Sequence, residues 1–250
     1  SLSRGGKTMR IWRQDFRILS SDVDLTRKIR LSILFTKLQE AAIAHTIELG
    51  VTREKTLDRG LLWAVTQYRL KTDRMPEYDD QVTLLSWPGK TMQLYFPRYF
   101  RLLDEKGKIL LDAVSLWVLI DEKARTIVFP EDHGIELPEV RTGDELPLPG
   151  RLRREETSSS HSFTVPYSYV DLNGHMNNAR YYDLAQDIMP EELRSRKLAS
   201  LSSEYIGEAR LGDTLQAGCA LSGDAFYVCG STEKPLFRMK FEFAGKEEQG

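Results

Sequence analysis

From Ile11 to Ile18 the chain alternates apolar and polar residues, Ile11-Trp12-Arg13-Gln14-Asp15-Phe16-Arg17-Ile18, which is the period of a half-buried strand. The period then changes. Ile33, Leu34, Leu38, Ala41, Ala42, His45 and Leu49 recur at three- and four-residue spacing, which predicts a helix with Ser32 as N-cap and Gly50 as its stop. A short helix over Thr52 to Arg59, closed by Gly60, is expected next. Strand-like stretches follow at Leu61 to Lys71, Gln81 to Trp87, Gln93 to Leu103 and Ile109 to Ile120. Turn chemistry separates them at Met75-Pro76-Glu77, Pro88-Gly89-Lys90 and Asp104-Glu105-Lys106-Gly107-Lys108.

From Pro130 to Ser160 the character changes. Four prolines, many charges and the run Ser158-Ser159-Ser160 read as a linker. Beyond it the order strand, helix, strands begins again. Phe163 to Tyr169 is expected as a strand and Asn178 to Met189 as a helix stopped by Pro190. Ser200 to Ile206, Thr214 to Leu221, Phe226 to Gly230 and Leu236 to Phe243 are expected as strands.

The recurrence is also visible residue by residue. Val23-Asp24-Leu25 follows Phe16, and Val170-Asp171-Leu172 follows Phe163, with a constant separation of 147 positions between copies. Phe35, Gln39 and Glu40 match Tyr182, Gln186 and Asp187 at that same offset. A matched element order on a fixed offset points to duplication. Each half then needs to bury one apolar helix face against a curved antiparallel sheet. That is an α+β layout of the hotdog type, and two in tandem make a double hotdog. The expected division is an N-terminal hotdog over 10–129, a linker over 130–160 and a C-terminal hotdog over 161–246.

Composition narrows the function without identifying it. The 250 residues carry a net charge of -2, which disfavours general nucleic-acid binding. No apolar run approaches the ~20 residues of a bilayer span. Ser1 to Lys7 is small and polar, without a signal-peptide core. Part of it is expected to be an artificial extension ahead of Met9, with the first structured segment near Arg10. Two cysteines, Cys219 and Cys229, are too few for a disulfide framework. Reduced thiols in the cytoplasm are therefore expected, although a hairpin could bring the pair face to face.

The densest polar stretch at a structural junction is Asp171-Leu172-Asn173-Gly174-His175-Met176-Asn177-Asn178. It offers a carboxylate, an imidazole and three amides, with Gly174 for a sharp turn. The helix start beyond it is expected to present free N–H groups and a positive dipole end, suited to a developing oxyanion. A plain loop with Asn177 or Asn178 as N-cap explains the same residues more simply. The first copy weighs against that. Its turn, Asp24-Leu25-Thr26-Arg27-Lys28, has neither His nor Asn, so a structural turn does not require them. His45 falls on an apolar helix stripe and reads as a core or pocket-rim residue. His133 and His161 lie in solvent-facing surroundings. No Cys/His pairing suggests a metal, no Gly-x-Ser-x-Gly elbow is present and no glycine-rich phosphate loop occurs.

The stretch resembles the Asp-x-Asn-x-His-x-Asn-Asn signature of the acyl-acyl carrier protein thioesterases of plant plastids and their bacterial relatives. Ser86-Trp87-Pro88-Gly89-Lys90 and Ala113-Val114-Ser115-Leu116-Trp117-Val118-Leu119 resemble two strand regions of that family's first hotdog. Glu204-Tyr205-Ile206-Gly207-Glu208 resembles its Glu-Tyr-x-x-Glu strand. The resemblance implies hydrolysis of fatty acyl thioesters without a cofactor, with Asp171, Asn173, His175 and Glu208 as the catalytic set. Many plant members carry Cys after that Glu; Ala209 stands here, so a thiol nucleophile at this position is excluded.

On this reading Asp171 or Glu208 activates water or attacks directly, and His175 orients substrate or exchanges a proton. The first half supplies an acyl pocket whose strand Leu61-Leu62-Trp63-Ala64-Val65 lines a tunnel. Trp63, Asn177 and Asn178 are the substrate-binding candidates. The implied partner is acyl carrier protein, which is acidic and calls for a basic dock. Arg27-Lys28 with Arg30, and Arg194 with Arg196-Lys197, are the candidates. A homodimer is left open. An acyl-coenzyme A thioesterase, a hotdog hydratase and a non-catalytic lipid-binding double hotdog are the competing readings.

Overall fold

The computed structural model describes residues 11–144 and 146–245. The expected extension ahead of Met9, the start near Arg10 and the limit at 246 lie outside the described residues. The strands β1 (Trp12–Arg17), β2 (Leu61–Thr72), β3 (Gln81–Pro88), β4 (Phe96–Leu103), β5 (Ile109–Asp121) and β6 (Thr126–Val128) come from the first half. From the second come β7 (Ser159–Thr164), β8 (Leu198–Tyr205), β9 (Thr214–Ser222), β10 (Ala225–Ser231) and β11 (Pro235–Phe243). They form one sheet in the order β1-β3-β4-β5-β2-β8-β11-β10-β9-β7, with β6 on β5.

The order carries its own evidence of duplication. In each half the spatial sequence is first, third, fourth, fifth and second strand, with a helix between the first two. The helices are α1 (Leu31–Glu48) and α2 (Arg180–Ile188), the latter followed by a single turn, α3 (Glu191–Arg194). This is a double hotdog. α1 buries Leu31, Leu34, Phe35, Leu38, Ala41 and Ala42 in a core that both halves share. α2 is half the length of α1 because Pro190, whose ring cannot continue the ladder, follows Met189.

The halves join where β2 and β8 pair antiparallel, from Gln67↔Glu204 to Lys71↔Ser200, with Arg69 opposite Ser202 at the centre. Above that seam Phe35 and Tyr182, the residues matched by the 147-residue offset, stack ring on ring at 4.0 Å and 4°. Both are buried. Tyr182 also donates its hydroxyl to Ser203 Oγ at 2.9 Å. Equivalent residues touching each other is what a pseudo-two-fold axis produces.

Several expectations shift. Ser32 is not an N-cap: Ile29 and Arg30 donate back to Pro76 O and Asp22 O, so the chain stays extended until Arg30, and Ser32 is buried inside α1. Thr52 to Arg59 forms two separate 3-10 turns, not one helix, and Gly60 with φ +73° closes the second. β4 starts only at Phe96, because Met92 to Tyr95 makes a tight turn. Phe163 to Tyr169 is not a strand throughout. Pro166 ends it, and Tyr167–Tyr169 is a 3-10 turn. The serine run belongs instead to β7, an exposed edge strand on β9, so sheet begins within the expected linker. Cys219 sits opposite Val228 and Cys229 opposite Gly218, which puts the two thiols on opposite faces, and both are free. Among the described residues no helix is long and apolar enough to cross a membrane.

Replacing Phe35 by Ala removes the stack and opens a cavity at the seam. A loss of about 3–5 kcal/mol in urea denaturation is expected; a loss under ~1 kcal/mol would mean the seam does not depend on this contact.

Candidate active site

The turn between β7 and α2 is built by one carboxylate. Asp171 Oδ1 accepts the Asn173 N–H at 2.9 Å and the His175 N–H at 3.4 Å. The Asp171 N–H donates to His175 O, and Gly174 N–H donates to Asp171 O. Gly174 has φ +79° with no neighbour near a would-be Cβ, so backbone conformation, not space, favours glycine here. The first half repeats the turn. Thr26 N–H donates to Asp24 Oδ1 at 2.8 Å, Asp24 N–H to Lys28 O, and Arg27 N–H to Asp24 O, with Arg27 at φ 64° in the place of Gly174. Geometry common to both copies is structural. Asn173 and His175, where the first copy has Thr26 and Lys28, are what the second copy adds.

Met176 N–H donates to Ala209 O at 2.7 Å, which clips the turn to the segment beyond β8. That clip brings His175 Nε2 to 3.3 Å from Glu208 Oε2. Glu208 accepts a second contact, 2.7 Å from an Arg125 guanidinium nitrogen on the β5–β6 hairpin of the first half. His175 is mostly enclosed while the Glu208 carboxylate stays half open. Gly207 is needed just before it, since a Cβ there would lie 2.9 Å from Pro235 O. Ala209 is fully buried.

The helix start offers less than expected. Every backbone N–H from Asn173 to Tyr182 has a partner among the described residues except that of Asn178. Asn177 Oδ1 accepts the Ala179 N–H at 2.9 Å, so Asn177 caps the turn. One donor without a partner among the described residues, not a row of them, is left there.

Three hollows share Trp63 as a wall residue. The outer cleft, about 600 Å³, is lined by Asn173, His175, Asn178, Glu208, Arg125 and Trp63. A second hollow of about 300 Å³ lies beside the C-terminal half of α1, with Asp171, Asn173, Asn177, Trp63, Ile43 and Trp117 among its walls and the exposed Glu40, Arg53 and Leu172 at its rim. A third hollow, a chamber of about 30 Å³, lies between α1 and β4, walled by Ile43, Thr46, Trp63, Phe96, Arg98 and Trp117. The residues expected at the site therefore all border the first two hollows, with Asp171 and Asn177 in the one beside α1 and His175, Asn178 and Glu208 in the outer cleft. Asn173 and Trp63 border both.

Arg125 escaped the sequence reading. It is one charge in the turn Glu122-Lys123-Ala124-Arg125, and only folding brings it to a residue 83 positions away. The remaining histidines stand apart. His45 is buried against Arg98, with Nδ1 at 2.8 Å from the guanidinium; His161 is exposed and His133 half-buried. Among the described residues no group of His, Cys, Asp and Glu could hold a metal. Both basic segments lie away from the outer cleft: Lys28 and Lys197 border another hollow with Asp73 and Glu77. Arg194 donates to Gln186 O and Asp187 O, and Arg196 pairs with Asp224. The cations at the outer cleft are Arg125, Arg210 and Lys234.

Comparison with known proteins agrees with this layout. Residues 9–133 match the family model described as the acyl-ACP thioesterase N-terminal domain, and residues 152–247 match its C-terminal domain. A chloroplastic palmitoyl-acyl carrier protein thioesterase of Cuphea hookeriana is 26% identical over 248 residues, covering 92% of this chain and 59% of that protein. A chloroplastic dodecanoyl-[acyl-carrier-protein] hydrolase of Cinnamomum camphora is 27% identical over 238 residues, covering 88% and 62%. The chain thus spans about 60% of the length of the curated relatives it matches. Two solved structures share the fold. An acyl-ACP thioesterase from Bacteroides thetaiotaomicron superposes with a TM-score of 0.80 at 23% identity, covering 94% of this chain and 98% of that one. A 12:0-ACP thioesterase from Umbellularia californica gives 0.78 at 22% identity, covering the same shares.

Proposed function

Because the chain belongs to the acyl-ACP thioesterase family, we propose that it hydrolyses the thioester of fatty acyl-acyl carrier protein, releasing free fatty acid and carrier protein and ending chain elongation. The observation that carries this reading is the His175–Glu208 pair at 3.3 Å, held in a cleft that shares Trp63 and Asn173 with the hollow beside α1. Residues 10–129 serve as the pocket half and 161–246 as the catalytic half, so each chain has one active site. For its compartment we propose the cytoplasm, since two cysteines are too few for the disulfide framework of an oxidising compartment.

The acyl chain enters the hollow beside α1, and the thioester carbonyl lies beside Asn173 and Trp63, which border both spaces. The pantetheine arm leaves through the outer cleft. Asp171 Oδ1 is taken by backbone donors, whereas Oδ2, without a partner among the described residues, accepts a proton from an attacking water in the hollow beside α1. The carbonyl oxygen, as it gains charge, receives the Asn173 amide and the Asn178 N–H. A well-placed donor of this kind contributes about 3 kcal/mol to the transition state. The C–S bond then breaks, and His175 gives its proton to the leaving sulfur. Glu208 orients the ring and stabilises the imidazolium, and Arg125 fixes Glu208 in turn.

Asp171→Asn and His175→Ala should stay folded and lose about 10²–10⁴-fold in kcat, with a smaller loss for Glu208→Gln, which acts through His175. Near-wild-type thiol release in all three would sink the assignment. Trp63→Ala removes the wall residue that the three hollows share and should shift preference toward longer or branched chains. An unchanged chain-length profile would remove Trp63 from the pocket.

Docking of an acidic carrier protein depends on the cations that rim the outer cleft. Arg210→Glu and Lys234→Glu should lower kcat/KM for acyl-carrier protein roughly tenfold at low salt, with the difference fading as salt rises. The same acyl group on coenzyme A serves as control. Equal losses on both substrates, or none on either, would argue against a protein partner at this rim.

A further inference from the structure

The chamber between α1 and β4 differs in one respect from a plain apolar pocket. Arg98 extends from β4 on the face that carries Phe96 and Phe100, under α1, and is only 3% exposed. Its guanidinium donates to His45 Nδ1 and Thr46 Oγ1, each at 2.8 Å. Both partners are on α1 and neither carries a fixed negative charge. Among the described residues no carboxylate pairs with it, although a guanidinium has five N–H donors. Burial pushes its pKa down to about 9, which still leaves it charged at neutral pH.

Two more polar atoms in the same region lack partners. Ser86 Oγ and Trp12 Nε1 are buried without a hydrogen bond among the described residues. They sit on directly paired positions of β3 and β1, next to the β4 position of Arg98, which faces Pro88. The Trp12 ring lies 6.1 Å from that of His45. Around them the chamber is apolar, with Ile43, Trp63, Phe96 and Trp117.

A buried cation with only neutral partners is costly. Tying α1 to β4 does not require a charge, because a neutral donor between Thr46 and His45 would do that at lower cost. What the charge adds is affinity for an oxygen acceptor that reaches the chamber past the walls it shares with the neighbouring hollow, Ile43, Thr46, Trp63 and Trp117. The chamber, about 30 Å³, has room for one small terminal group and little more. A methyl end would leave the guanidinium as it is. A hydroxyl or carboxylate oxygen would satisfy one of its remaining donors.

We propose that this chamber recognises an oxygen at the far end of the acyl chain, and that the preferred substrates are acyl thioesters bearing a distal hydroxyl or carboxylate. The proposal rests on the thioesterase reading above. It assigns Arg98 and Thr46 as specificity residues for the distal end, remote from the bond that is cleaved.

The test is a matched panel of acyl-carrier proteins, plain, ω-hydroxy and ω-carboxy, from eight to sixteen carbons, with thiol release measured. At the length that reaches the chamber, one oxygenated series should exceed the plain chain roughly tenfold in kcat/KM, the scale of a hydrogen bond to a charged group. Arg98→Met should abolish that preference while plain chains are still cleaved, and Thr46→Val should reduce it. The proposal is overturned if wild-type protein cleaves plain chains at least as well at every length, an outcome that needs no variant to fold. Survival of the preference in a folded Arg98→Met protein overturns it too. Failure of only the oxygenated series leaves the thioesterase reading standing, whereas absence of thiol release from every series removes both.

Discussion

The antiparallel pairing of β2 with β8 is the contact on which everything else in this molecule depends. Around Arg69 and Ser202 two copies of the same strand order meet, and the stack of Phe35 on Tyr182 locks the helices above the seam. Neither half closes its own core. α1 and α2 share one apolar interior with strands of both halves, so folding of one half without the other would leave that surface in water. The seam also creates the site. Arg125 and Trp63 of the first half face His175 and Glu208 of the second across it.

A pseudo-two-fold axis makes two equivalent hollows, and an imidazole–carboxylate pair stands in one of them. The clip from Met176 N–H to Ala209 O has its counterpart from Ile29 N–H to Pro76 O. Lys28 then stands where His175 stands, and Met75 stands where Glu208 stands. Both border the other hollow, which therefore has no imidazole–carboxylate pair. The pocket has diverged in the opposite sense. The eighteen-residue α1 covers the cavities of the first half, whereas the nine-residue α2 stops at Pro190.

Much of this was legible before folding, and the exceptions share a cause. The period of α1, the core strands and the 147-residue offset are properties of neighbouring residues, so they can be read directly. The segment Asp171 to His175 could be singled out because the first copy of the same turn served as a control. The edge strand β7 could not, since Ser159 to Ser162 lies exposed and has no apolar period to display. The short β6 gave no signal for the same reason. Arg125 and Arg98 are ordinary charges in the sequence. Their roles come from partners 83 and 53 positions away, which no local pattern encodes. Ser32 looked like a cap because caps are argued from residue type. The actual start of α1 is set by backbone bonds from Ile29 and Arg30 to distant carbonyls.

Duplication leaves two hollows, and the proposed chemistry uses one. Calorimetric titration with an acyl-carrier protein whose thioester is replaced by an uncleavable amide measures this directly. One equivalent bound per chain is the predicted result, with binding weakened by Trp63→Arg in the cavity system and unaffected by Lys28→Glu in the other hollow. Two equivalents per chain, or binding lost with Lys28→Glu and kept with Trp63→Arg, would contradict the account.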